Sequence, residues 1–170
     1  MVKKIIWALI LTVAMAILQS TVFSRFVVYI HAVPDFTLGI LVYAAYMNGT
    51  MSGQLTGFFS GVLLDFLSSS PLGLNSFVRT LTGALTGLMK GTFYLDFFFF
   101  PMALCAGATI IKALLFFLLH LLFPQTVPSY SFGALVFWIE LGLNVLTAPL
   151  LFGLLRLFGP LLAESKEGGQ

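Results

Sequence analysis

Four ionisable residues, Asp65, Arg79, Lys112 and Glu140, stand inside otherwise apolar stretches of this 170-residue chain. Near the centre of a membrane helix each would cost at least about 2.5–3.5 kcal/mol, so a chain that keeps them holds them for a purpose. Two acids and two bases can neutralise one another. The plainest expectation is two ion pairs, Asp65 with Arg79 and Glu140 with Lys112, that pin a bundle of helices. A sharper one is a polar pocket, in which Asn75, His120 and Asn144 would add hydrogen-bonding capacity. A proton or ion path is a third use for the same groups. Asp65, followed closely by Ser68 to Ser70, also suits an interfacial position.

Catalytic chemistry is poorly served. His31 and His120 lie on different segments, and neither has a motif that sets a nucleophile beside it. There is no metal-ligand spacing, phosphate-binding loop or zinc-protease signature. Asp65 and Glu140 would make an acid–base pair only at a separation that the sequence does not set. Cys105 is the only cysteine, so no intrachain disulfide forms, and in its apolar run it reads as a small hydrophobe. The expectation is a protein with no catalytic residue, metal or cofactor. A net charge of +2, with no basic run beyond Lys3-Lys4, gives no footing for nucleic acid.

The elements that must position these residues follow from composition. Of the chain, 59% is hydrophobic and 8% charged, against roughly 25% charged in a soluble domain. Mean hydropathy is +1.06, and nineteen Phe would be hard to hide in a water-soluble core this small. An all-α integral membrane protein is expected: one domain of six transmembrane helices over residues 1–162, then a disordered polar tail over 163–170. The spans read as 5–23, 34–47 (with interfacial residues from Val27), 51–67, 71–90, 98–123 and 132–158. Asn48-Gly49 marks a turn. Ser70-Pro71 reads as an N-cap followed by proline at the first helical position. Pro34-Asp35 opens the second helix, the carboxylate suiting the positive end of the helix dipole. Pro124 and Pro128 close the fifth, while Pro101 and Pro149 fall inside spans. Ala14-Met15-Ala16 imitates a signal-peptide cleavage site, but the apolar run continues through Ile17 and Leu18, so a retained helix is expected.

With the N-terminus in the cytoplasm, six spans place Lys3, Lys4, Lys90, Arg156 and Lys166 inside and only Arg25 outside, as the positive-inside rule demands. Both termini are then cytoplasmic, and the four buried charges fall in the outer half of the membrane. Small residues recur at four-residue spacing on three helices: Gly53, Gly57 and Gly61 leading to Asp65; Arg79 leading to Gly83, Gly87 and Gly91; and Ala8, Thr12, Ala16 and Ser20. Such stripes lie on one helix face and let backbones approach closely in lipid. They are candidate surfaces for helix packing or for a partner.

The run Gln19-Ser20-Thr21, Pro34-Asp35, Gly49, Gly53, Gly57-Phe58, Gly61, Asp65 and Pro71-Leu72-Gly73-Leu74-Asn75 resembles the rod shape-determining MreD family. The resemblance extends from the first helix to about Lys90. It implies a non-enzymatic subunit of the bacterial cell-wall elongation machinery in the cytoplasmic membrane. The neighbours it implies are MreC, the MreB filament, RodA and a class B penicillin-binding protein; it says nothing of the oligomeric state. It also implies a bundle similar to the substrate-binding subunits of energy-coupling-factor transporters. That likeness keeps a second function open: a solute-binding subunit of a vitamin-type transporter, with a pocket between the last three helices lined by Arg79, Lys112, Glu140 and Asn144. The chain has almost no loop or tail to grip a cytoplasmic filament. Contact through helix faces, mainly with the single span of MreC, is therefore expected, and leucine at Gly57 or Gly61 should break it without preventing insertion.

Overall fold

The computed structural model describes residues 2–22, 33–68, 70–91, 99–129 and 132–159. Among them are six helices and no strand: α1 Val2–Val22, α2 Phe36–Asn48, α3 Thr50–Leu67, α4 Leu74–Leu88, α5 Phe99–Leu122 and α6 Leu135–Leu157. The expected tail over 163–170, Arg25, His31, Lys166 and the interfacial stretch from Val27 lie outside the described residues, as do the side chains of Lys3, Lys4 and Ser20.

Local chemistry sets most helix ends. Asp35 caps α2, its carboxylate accepting the Leu38 N–H. Gly49 alone joins α2 to α3, at φ 93°, which glycine adopts without steric cost. The start of α4 differs from the Ser70-Pro71 cap expected. Pro71 to Gly73 form a turn, Gly73 takes φ 95° at the N-cap, and the helix begins at Leu74. Gly73 carries no capping side chain; the cap is supplied from α3, by Asp65. Gly91, expected to prolong the α4 stripe, lies past the helix end at φ 75°. Pro101 falls in the first turn of α5, where a missing N–H costs nothing, while Pro149 is inside α6.

Helix α2 is the axis of the molecule. Residues Thr37 to Ala45 are all buried, and α1, α3, α4, α5 and α6 all pack around it. A helix apolar on every side belongs in a core. Leu41, Val42 and Tyr43 meet Leu104 and Ala108 of α5 and Leu151, Phe152 and Leu155 of α6 in one cluster. Tyr43 stands edge-on to Phe152 at 5.2 Å.

The two glycine stripes face each other. A Cβ on Gly53 would lie 2.2 Å from the Gly83 carbonyl oxygen, and one on Gly83 would lie 2.3 Å from that of Gly53. Gly57 abuts the Arg79 carbonyl, Gly61 the Ser76 backbone and Gly87 the Thr50 backbone. Helices α3 and α4 therefore touch main chain to main chain. The α1 stripe also turns inward: Ala8, Thr12 and Ala16 are buried, with α1 packed on α2 and α3. Ala8, Thr12, Ala16, Gly53, Gly57, Gly61, Gly83 and Gly87 thus pack within the chain.

Beside this apolar core, several hydroxyls are buried while many large apolar side chains face outward. Thr12, Thr82, Thr86 and Thr109 are buried, and each hydroxyl donates to the carbonyl four residues back at 2.8 Å, which satisfies it without water. Phe66, Leu121, Leu135, Leu150 and Leu157 are exposed. By length and composition two helices suffice to cross a membrane, α5 with 24 residues and α6 with 23. Helix α2, with 13 residues, rises only about 20 Å.

Gly57→Leu should lower the thermal midpoint of the detergent-solubilised protein, because the added side chain meets backbone that cannot yield. A loss of about 3 kcal/mol or more is expected, beyond ordinary overpacking. Gly107→Ala, whose Cβ meets nothing within 4 Å, should leave the midpoint unchanged or slightly raised.

Candidate functional site

The buried charges assemble around a residue that the sequence marked only as a helix cap. Asp35 Oδ1 accepts from the Thr37 hydroxyl at 2.7 Å, from the Leu38 N–H at 2.9 Å and from Arg79 Nη2 at 2.9 Å. Its Oδ2 accepts from Lys112 Nζ at 2.8 Å and from Arg79 Nη2 at 3.2 Å. Lys112 Nζ donates as well to Glu140 Oε1 at 2.7 Å. The charges thus alternate from Arg79 to Asp35 to Lys112 to Glu140 and tie α4, the head of α2, α5 and α6 together. Side-chain exposures of 6%, 12%, 17% and 12% in that order place the chain of charges away from solvent. Neutral groups complete it. Asn144 Oδ1 accepts the Asp35 N–H at 2.6 Å, and its Nδ2 donates to Thr109 Oγ1 at 3.0 Å. Desolvating each ion costs several kcal/mol, a cost offset only where geometry is good and the remaining lone pairs are filled. Here the Asp35 carboxylate has none to spare.

The pairing of Lys112 with Glu140 is present, but Asp65 does not pair with Arg79. The Asp65 carboxylate turns to the N-terminus of α4, where the helix presents donors with no intrahelical partner. It accepts the N–H groups of Gly73, Asn75 and Ser76 at 2.9, 2.9 and 3.2 Å, the Ser76 hydroxyl at 2.8 Å and Asn75 Nδ2 at 3.0 Å. An ionised carboxylate offers about four lone-pair sites, so nothing is left for a guanidinium. The turn from α3 to α4 is short enough that capping its own neighbour is the nearer solution. His120 also stands apart. Its Nδ1 donates to the Val127 carbonyl at 2.7 Å and closes the turn after α5.

Sequence reasoning missed Asp35 as an ion-pair partner because capping accounted for its position. A signal was available, since on the expected six-span topology a carboxylate at the start of the second helix falls in the same half of the membrane as Arg79, Lys112 and Glu140.

Of the residues expected to line a pocket between α4, α5 and α6, Arg79, Lys112 and Glu140 are joined through Asp35 in the chain of ion pairs. A cleft of about 10 Å³, room for no more than one water, lies beside Asp35, Cys105, Thr109 and Asn144. An open cavity of about 550 Å³ lies among the ends of α1 and α3 and the starts of α2 and α4. Gln19, Ser68, Ser70 and Asn75 wall it on one side with Asp35 and Arg79; Ala16, Leu64 and Leu67 supply apolar wall. Arg79 Nη1 is buried with no hydrogen-bond partner among the described residues. No group of three or more His, Cys, Asp or Glu that could hold a metal occurs among them.

Among known proteins, a family model described as rod shape-determining protein MreD matches residues 1–158. No curated protein and no solved structure matches the chain, so the expected likeness to energy-coupling-factor subunits finds no support there.

Replacing Asp35 by Ala leaves Arg79 and Lys112 facing each other without their shared counter-ion. A loss of about 3–5 kcal/mol is expected, read as a lowered unfolding midpoint in detergent. A double-mutant cycle should give about 1–3 kcal/mol of coupling between Asp35 and Arg79, and less than about 0.5 kcal/mol between Asp65 and Arg79.

Proposed function

The chain belongs to the MreD family of rod shape-determining proteins, and from that premise we propose that it is a non-enzymatic scaffold of the cell-wall elongation complex. In this reading it lies in the cytoplasmic membrane as one six-span domain with both termini in the cytoplasm. Its helix faces bind the single span of MreC, and MreB, RodA and a class B penicillin-binding protein belong to the same assembly. The observation that carries the proposal is the family match over nearly the whole chain, joined to the large apolar side chains that face outward.

Physical reasoning supports crossings beyond α5 and α6. Roughly 20 apolar residues are needed where a helix meets lipid over its whole length. Helix α2 is sheathed by its neighbours, so its 13 residues need not satisfy that rule. Helices α3 and α4 expose Phe58, Phe59, Phe77, Leu85 and Leu88, side chains suited to acyl chains. Lys90 Nζ reaches the Asn48 carbonyl at 3.4 Å, so the α2–α3 turn and the end of α4 share one end of the bundle, as six spans require.

The inward use of every small-residue stripe leaves the outward faces for partners. On α1 these carry Ile6 and Ile10, each half exposed. Helix association in lipid gains little from hydrophobic burial and depends on close packing, so a modest, shape-dependent contact is the expected kind.

Two measurements test the proposal. In a Cys105→Ala background, Gln125→Cys should react with a membrane-impermeant maleimide in intact spheroplasts, and Lys90→Cys only after permeabilisation. The opposite labelling would overturn the orientation. Affinity capture of the tagged chain from its native membrane should bring down MreC; recovery of a transporter ATPase in its place would favour the solute-binding alternative. Gly57→Leu should lose MreC only together with the fold, as its glycine lies inside the α3–α4 contact.

A further inference from the structure

The outward helices differ in length from one side of the molecule to the other. Helix α5 has 24 residues and α6 has 23, rises of about 36 and 34 Å. Both carry exposed apolar side chains at each end, Phe99 and Leu122 on α5, Leu135 and Leu157 on α6. Against a hydrocarbon core of about 30 Å they are long. A tilt of about 30°, within the range membrane helices adopt, brings them to that depth.

Helices α3 and α4 have no such adjustment. With 18 and 15 residues they rise about 27 and 22 Å, and tilt only shortens the depth that they cover. Polar groups close both ends of the pair. At one end Lys90 Nζ reaches the Asn48 carbonyl at 3.4 Å. At the other Ser68, Ser70 and Asn75 are linked by hydrogen bonds, and Asn75 is held by Asp65. Between these ends the outward surface is apolar, with Met51, Phe58, Phe59 and Phe66 exposed on α3 and Phe77 and Leu85 on α4. The glycine seam holds the two helices main chain to main chain, which opposes any sliding that would gain depth.

A short apolar band is accommodated by snorkelling side chains, by association with protein or by a thinner bilayer. Lys90 has a long stem for snorkelling, but serine and asparagine have none. The Ser68, Ser70 and Asn75 end therefore stays where its backbone lies, and the lipid must come to it. On the six-span reading, in which α3 and α4 cross the membrane, we propose that their outward face takes phospholipids of short acyl chain and thins the bilayer on that side only. A chain with such a face is drawn toward thinner membrane.

Quenching of tryptophan by brominated lipid tests this on the full chain in liposomes. In a Trp7→Phe, Trp138→Phe background, Phe59→Trp reports from α3 and Leu114→Trp from α5, two positions about half exposed. Brominated dioleoyl phosphatidylcholine is mixed at one fixed fraction with either dimyristoleoyl or dioleoyl phosphatidylcholine. At Phe59→Trp the shorter lipid should displace the brominated one with a preference of about threefold, and at Leu114→Trp it should show none. Leu85→Trp on α4 should repeat the α3 result, and it replaces Phe59→Trp if that variant folds poorly. The same preference on α3 and α5 would overturn the one-sided thinning, as would a preference for dioleoyl chains at Phe59→Trp. Quenching at Leu114→Trp with none at Phe59→Trp or Leu85→Trp in either mixture would show that this face does not meet lipid, and would remove the crossing of α3 and α4 together with the proposal.

Discussion

A carboxylate placed where water is scarce must find all of its donors in the protein, and Asp35 does so from the start of its own helix and from two others. Arg79 comes from α4 and Lys112 from α5, while Asn144 of α6 accepts the backbone N–H of Asp35. Lys112 in turn holds Glu140 of α6. The position of Asp35 at the head of the central helix is what allows this. The hydrophobic cluster around α2 supplies bulk packing, and the ion-pair chain adds a directional requirement, since each donor must arrive at one end, on one face, at hydrogen-bonding distance.

The close approach of α3 and α4 complements it. Glycines on both sides bring the backbones together and hold Arg79 at the edge of the seam, where its side chain turns toward Asp35. Asp65 then closes the top of the same pair by capping α4. Both acids cap a helix start, and Asp35 in addition neutralises two side-chain cations.

This economy bears on function. A chain with its ion pairs and glycine seam inside and many large apolar side chains outside suits a membrane scaffold of a shape-determining complex. In the proposed scaffold role, partner contact falls on the outward faces of the bundle.

Much was legible in the residues alone. Composition marked a helical membrane chain, and turn chemistry at Asn48-Gly49 and Pro34-Asp35 placed helix ends close to where they lie. The Gly53–Gly61 and Gly83–Gly87 spacings marked close-packing faces, because periodicity along one helix is a one-dimensional property. The family resemblance was legible for the same reason, as a linear pattern of glycines and prolines. Which face meets which is not linear. Only the tertiary structure decided that the glycine stripes face each other rather than a partner, that Asp65 caps α4 instead of meeting Arg79, and that Asp35 takes its place. A carboxylate binds whichever donors arrive first within about 3 Å, and that depends on how helices rotate against one another in space, a quantity the order of residues constrains but does not state.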